Sequence, residues 1–220
     1  MERNAETRKA NKTNKTVGYN YNMRIEIIRK KGDVDIKDLK HFGRMLSNRS
    51  VTIGIHQNEG QKVNFWSGTK VIDYACYNEF GHPENAGADG KPPSRKFVRR
   101  LLYDSDTLEK IKAKGREHIH RIARNRYKDT GGKMAKDLYA DIGLIGLEQM
   151  QYYIADSFTW AIPNAPKTIK KKGFDHPLHD TGLLATCLRA KVRGKNGSVQ
   201  RTVKSSKFTG VFASRLEGAR

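Results

Sequence analysis

The stretch TIKKKGFDHPLHDTGLLATCL, residues 168–188, joins what reads as a helical part of the chain to what reads as a hairpin, and its reading decides the fold. Lys170, Lys171 and Lys172 run into Gly173 as a basic loop, and His176-Pro177-Leu178-His179 reads as a turn stiffened by the fixed φ of Pro177. Asp180-Thr181-Gly182 then opens a short helix, with Asp180 or Thr181 placed to accept its first free N–H groups. Leu184, Cys187 and Leu188 share one face of that helix. Two chemical readings of the stretch fail on their own requirements. Asp-Thr-Gly is the triplet of aspartic proteases, but that chemistry needs an apolar strand feeding it, and Asp-His-Pro-Leu-His is polar. His176, His179, Asp180 and Cys187 are metal-ligating residue types without the paired spacings that metal sites use.

Working outward, Ala190, Val192, Val199 and Val203 alternate around Asn196-Gly197, a tight-turn signal, and predict a hairpin. Residues 189–220 carry nine basic side chains and one acidic one, a net charge of +8. On the other side, Trp160 to Pro166 contains two prolines and reads as an extended connector. Before it, residues 106–127 place Leu108, Ile111, Gly115, Ile119 and Ile122 at helical steps, with His118 and His120 on opposite faces. Residues 134–156 repeat the pattern with Leu138, Ile142 and Ile145. Leu144, Leu147 and Met150 widen that stripe, which predicts a helix buried on two sides.

The first half supplies strands. Tyr19, Tyr21, Met23, Ile25 and Ile27 alternate with polar residues, as do Val51, Ile53 and Ile55. Between them Ile36, Leu39, Phe42 and Leu46 predict a helix capped by Asp35, so strand, helix, strand is long enough for a parallel crossover. Thr69 is placed to cap a helix that runs to Phe80 and stops at Gly81. Glu79 is a lone acid suited to an ion pair with Arg95 or Arg99. Lys91, Arg95, Lys96, Arg99 and Arg100 cluster at the exit of the 82–93 loop, with Phe97 as the only aromatic among them. The expected fold is α+β: a small mixed sheet packed on one face by two long helices. The domain spans 19–203, with basic arms at 1–18 and 204–220.

Composition bounds the function. Among 220 residues, 43 Lys and Arg against 23 Asp and Glu give a net charge of +20, which implies a polyanionic or acidic neighbour. Only 36% of residues are hydrophobic and 30% are charged, which fits long loops and arms around one core. Cys76 and Cys187 are expected to be reduced and buried. No apolar run of membrane length occurs, and Met1-Glu2-Arg3-Asn4 lacks the apolar region of a signal peptide, so a product made and kept in the cytoplasm is expected. There is no phosphate-binding Gly-Lys-Ser/Thr loop, no G-x-S-x-G and no metal ladder, which excludes the commonest catalytic frameworks.

Three stretches, in order, carry a family resemblance. Residues 171–184, KKGFDHPLHDTGLL, resemble the K-G-x-x-x-P-L-x-D-T-G-x-L pattern of small neck and tail-completion proteins of long-tailed double-stranded DNA phages. Val51-Thr52-Ile53-Gly54-Ile55 is similar to that family's V-x-V-G-I strand. Residues 74–81, YACYNEFG, followed by 92–99, PPSRKFVR, are similar to its Y-A-x-x-N-E-F-G and P-P-R-x-F-L-R segment, with Ser94 as an insertion. The resemblance implies a structural virion protein and no enzyme, cofactor or metal. It implies a homo-oligomeric ring, six-fold in symmetry, closed by heterologous contacts in the viral neck. Its neighbours would be the head connector or portal side and the tail terminator or tail tube, with genomic DNA passing through the lumen and no membrane contact. The residues expected at subunit and ring-to-ring interfaces are Phe65, Trp66, Lys91, Pro92, Pro93, Arg95, Lys170, Lys171, Lys172, His176, Pro177, Leu178, Asp180, Thr181 and Gly182, with the arms strapping neighbours. A different class, a sequence-nonspecific nucleic-acid-binding protein, would use the same excess charge.

Overall fold

In the computed structural model, described residues are 36–63, 68–82, 93–125, 132–179 and 181–205, all of them within one compact unit. The expected strand at 19–27, the arm at 1–18, most of the arm at 204–220, and Phe65, Trp66, Lys91, Pro92 and Asp180 lie outside the described residues.

In chain order the elements are α1 (Ile36–Ser47), β1 (Ser50–Ile55), α2 (Gln57–Gly60), α3 (Val71–Phe80), α4 (Phe97–Leu102), α5 (Ser105–Asn125), α6 (Lys133–Ala155), α7 (Ser157–Trp160), α8 (Pro166–Lys172), α9 (Leu183–Cys187), β2 (Leu188–Arg193) and β3 (Val199–Val203). The fold is α+β. The described strands form a sheet in the order β1-β2-β3, and both pairings are antiparallel, where a mixed sheet was expected. β1 takes its partner from the far end of the chain: Val51 lies opposite Val192, Ile53 opposite Ala190 and Ile55 opposite Leu188. The hairpin β2-β3 closes where expected. Gly197 sits at φ 72°, and Gly194 N–H donates to Ser198 O at 3.0 Å.

Alternation decides which face of the sheet is covered. Leu188, Ala190 and Val192 are buried, and the odd positions of β1 share their side. The opposite face of β2 carries Arg189, Lys191 and Arg193. The covered face lies on α6, whose Gly143 and Gly146 remove the side chains that would hold helix and sheet apart. A Cβ on Gly143 would stand 2.9 Å from both Ala190 Cβ and Val51 Cγ2, and one on Gly146 would stand 2.4 Å from Ile53 Cδ1. Leu147, Met150 and Ile154 of α6 are fully buried, each worth roughly 2–3 kcal/mol of transfer free energy.

The second long helix is placed differently from expectation. α5 packs chiefly on α6, on the side that also takes Phe42, Met45 and Leu46 of α1, so α6 is the middle layer. This accounts for the wide apolar stripe of α6. The two helices are also pinned by His118, which is 2% exposed and whose Nε2 lies 2.9 Å from Asp141 Oδ2. His120, on the other face, is exposed.

Candidate assembly interface

Glu79 ends α3 on its inner face, and its carboxylate organises the start of α4. Oε2 accepts the Val98 N–H at 2.8 Å, and Oε1 accepts the Arg99 N–H at 3.1 Å and the Arg99 side-chain Nε–H at 2.8 Å. An acid supplied by one helix therefore satisfies the free donors of the next, where the backbone dipoles favour negative charge. The Glu79 carbonyl accepts from Ser94 Oγ at 2.8 Å and from Arg99 at 3.0 Å. Ser94, the residue that separates Pro93 from Arg95, thus ties the approach to α4 onto the end of α3. Glu79→Gln puts an amide N–H against one of these donors, and the expected cost is about 2 kcal/mol by urea denaturation. A change below about 0.5 kcal/mol would contradict the capping role.

Arg95 is the second tie. It was expected at the surface, yet it is 6% exposed. Its backbone N–H donates to Asn78 O at 2.5 Å and its Nη1 to Asn78 Oδ1 at 2.7 Å. Its Nε reaches Ile162 O at 3.0 Å, and its Nη2 reaches Pro163 O at 3.4 Å and Asn164 Oδ1 at 3.3 Å. Burial pulls its pKa below the usual arginine value, with Tyr74 and Asp175 acting the other way. Asn164 passes the chain of bonds on, since its amide Nδ2 donates to Asp175 Oδ1 at 3.0 Å. The run Asn78, Arg95, Asn164, Asp175 links the 92–99 segment to the 168–184 segment, a connection that sequence spacing did not indicate.

In the 168–184 segment the lysines belong to α8, not to a loop. Pro166 occupies the first turn, and Gly173 ends the helix at φ 80°. Lys170 and Lys171 are exposed. Lys172 turns inward, its Nζ donating to His176 O at 3.0 Å and to His179 O at 2.5 Å. His176, Pro177 and Leu178 are buried in the chain's own interior, so their side chains offer little surface to a neighbour. The imidazoles of His176 and His179 stack at 4.8 Å, Phe158 meets His176 edge-on, and Ser157 Oγ donates to Pro177 O. Gly182, at φ 71°, is the N-cap residue of α9, and no side chain caps that helix. The expected cap from Thr181 is not made, because the left-handed residue before Leu183 sets the entry instead. Pro93 and Thr181 are half-buried, and Gly182 is buried. Thr69 likewise does not cap α3, whose N-cap is Lys70. Cys187 is buried, which pushes its thiol pKa up. Cys76 is exposed beside the edge of β1, where both cysteines were expected inside.

Between α4, the end of α6 and the 161–162 connector lies an open cavity of about 700 Å³, lined among others by Arg95, Lys96, Arg100, Tyr103, Tyr153 and Trp160. Arg100 lies over the rings of Tyr153, at 5.2 Å, and Trp160, at 4.9 Å. The sequence shows only Phe97 beside these cations. The aromatic walls come from Tyr103 just after α4, from Tyr153 of α6 and from Trp160 of α7. Asp104 also lines the cavity. Burial pushes its pKa up, but hydrogen bonds from Thr107, Tyr153 and the backbone outweigh burial and hold it below the usual value. Lys96 stands at the mouth in the left-handed region, at φ 33° and ψ 39°. Lys96→Gly relieves that conformation, and a gain of about 0.5–1 kcal/mol in urea denaturation is expected.

Among the described residues no group of three His, Cys, Asp or Glu side chains is placed to hold a metal, and no helix is long and apolar enough to cross a membrane. Comparison with known protein families, with curated proteins and with solved structures finds no match.

Proposed function

We propose that this chain is a structural subunit of the neck of a long-tailed double-stranded DNA phage. It would form a ring that joins the filled head, on its connector or portal side, to the tail tube. The observation that carries the reading is the meeting of the pattern-bearing stretches. Val51, Ile53 and Ile55 of β1, Tyr74 and Ala75 of α3, Phe97 of α4, and Leu178 and Leu184 of the 168–184 segment all pack in one hydrophobic cluster. Residues that resemble a family pattern across 130-odd positions of sequence thus form one physical unit, as a shared fold requires. The bonds of Asn78 and Glu79 to Ser94, Arg95 and Arg99 fasten the end of α3 to the start of α4, so the two parts of the Y-A-x-x-N-E-F-G and P-P-R-x-F-L-R pattern are tied to each other directly.

Ring closure then uses heterologous contacts between copies, and DNA in the lumen meets basic side chains without sequence reading. Exposed Lys170 and Lys171 remain available for such contacts. Immunogold labelling of intact particles tests the placement, with label expected at the head–tail junction. Label on the capsid shell, on the tail tip or absent from particles would overturn it. A second reading, free nucleic-acid binding, is favoured by the row Arg189, Lys191 and Arg193 on the sheet face away from α6. It requires the isolated chain to hold duplex DNA at physiological salt with a steep dependence of affinity on salt. A ring subunit is expected to bind weakly as a monomer.

A further inference from the structure

We propose that the cavity between α4, α6 and α7 is a docking pocket for a carboxylate-bearing, apolar segment of a different protein. Its cations differ in what they have left to give. Arg95 is consumed by Asn78, Asn164 and two carbonyls, and Arg99 is paired with Glu79 at 2.8 Å. Lys96 and Arg100 are exposed. The Arg100 guanidinium rests over Tyr153 and Trp160, an arrangement that covers its face and leaves its N–H edge for a planar, two-oxygen acceptor. The support is itself fixed. Trp160 Nε1–H donates to Tyr153 O at 3.1 Å, and the two rings meet edge-on at 6.4 Å. Arg100 is thereby held ready, which lowers the ordering cost of binding.

The rest of the lining points to protein and not to nucleic acid. Tyr103 is 84% exposed and Ile162 is 54% exposed, two large apolar side chains open at the cavity wall. Tyr, Trp and Arg around a pocket are the residue types that dominate protein interfaces. The ring faces of Tyr153 and Trp160 that a base would stack on are already taken by Arg100. The cavity's own acid, Asp104, is engaged by Thr107 and Tyr153 and does not neutralise Lys96 or Arg100 directly. A second copy of this chain is a poor source of the carboxylate. The chain has 23 acidic residues against 43 basic ones, and Glu109, Glu117 and Asp137 are already ion-paired to its own lysines and arginines. The occupant is therefore a segment of a different protein that sets an Asp or Glu beside apolar side chains, with binding by a second copy of this chain as the competing outcome, and the inference stands whether or not the chain belongs to a phage neck.

Selection of a random peptide display library on the full chain tests this. Enriched peptides are expected to carry Asp or Glu next to Leu, Ile, Phe or Trp. A synthetic peptide of that consensus, titrated by fluorescence anisotropy, is expected to lose about tenfold in affinity with Arg100→Gln, and similarly with Lys96→Gly. Lys96→Gly keeps or raises the melting temperature, so its loss of binding is not a loss of fold. Exchanging the peptide's acids for their amides is expected to cost the same factor, with no further loss on Arg100→Gln. Enrichment of peptides without acids, no enrichment above an uncoated surface, or affinities indifferent to Lys96 and Arg100 would overturn the proposal. So would displacement of the peptide by a short duplex DNA through the same two residues, which would assign the pocket to phosphate backbones.

Discussion

Arg95→Ala is expected to lower the stability of the chain by about 3 kcal/mol, measured by urea denaturation with the slope unchanged. The side chain joins the end of α3, through Asn78, to the connector, through Ile162, Pro163 and Asn164, and Asn164 in turn is bonded to Asp175. Removing it strips a charged donor from several acceptors at once. The full sum is not reached, because the carbonyls of the connector border an open cavity and water can replace part of what is lost. Arg95→Lys is expected to recover less than half of the loss, since one ammonium cannot reach both sides of the cluster as a planar guanidinium does. A loss below about 1 kcal/mol for Arg95→Ala would mean that the connector is held by other contacts.

Gly143→Val is expected to cost about 3 kcal/mol or more, for a different reason. The new Cβ would fall 2.9 Å from Ala190 Cβ, which belongs to a central strand and has no rotamer with which to retreat, and 2.9 Å from Val51 Cγ2. Gly143→Ala is milder, because the gain in helix propensity of nearly 1 kcal/mol offsets part of the overlap. Gly146→Ala is milder again, as the atom it meets is Ile53 Cδ1, the far end of a flexible side chain. Gly115 of α5 provides the contrast: a Cβ there meets nothing within 4 Å. Gly115→Ala is expected to stabilise by about 0.5–1 kcal/mol. If Gly143→Val were tolerated as readily as Gly115→Ala, α6 would not lie against the sheet as described.

The two long helices and the hairpin were legible because their signals are local. Apolar residues at three- and four-residue steps mark Ser105–Asn125 and Lys133–Ala155 to within a residue or two, and Asn196-Gly197 marks the turn. The α+β class follows from those elements. What was not legible depends on contacts distant in sequence. Arg95 reads as one more surface cation until Ile162, Pro163 and Asn164 close over it. Pro177 and Leu178 read as an exposed turn until Ser157 and Lys172 hold that turn inside. The sheet was expected to be mixed because β1 follows a helix and an alternating segment in sequence. In the structure β1 pairs with β2, more than a hundred residues later. Of the expected interface, Lys170 and Lys171 stand at the surface, whereas Arg95, His176, Pro177 and Leu178 serve the interior. Arg100, Tyr153 and Trp160 were missed as a group because their common location is set by the crossing of α4, α6 and α7.

Deleting the gene for this chain from the genome that carries it, and imaging the resulting particles by negative stain, tests the neck assignment most directly. The expected result is DNA-filled heads lying apart from finished tails, with joining restored when the purified chain is added back. Intact, joined particles from the deletion would contradict it.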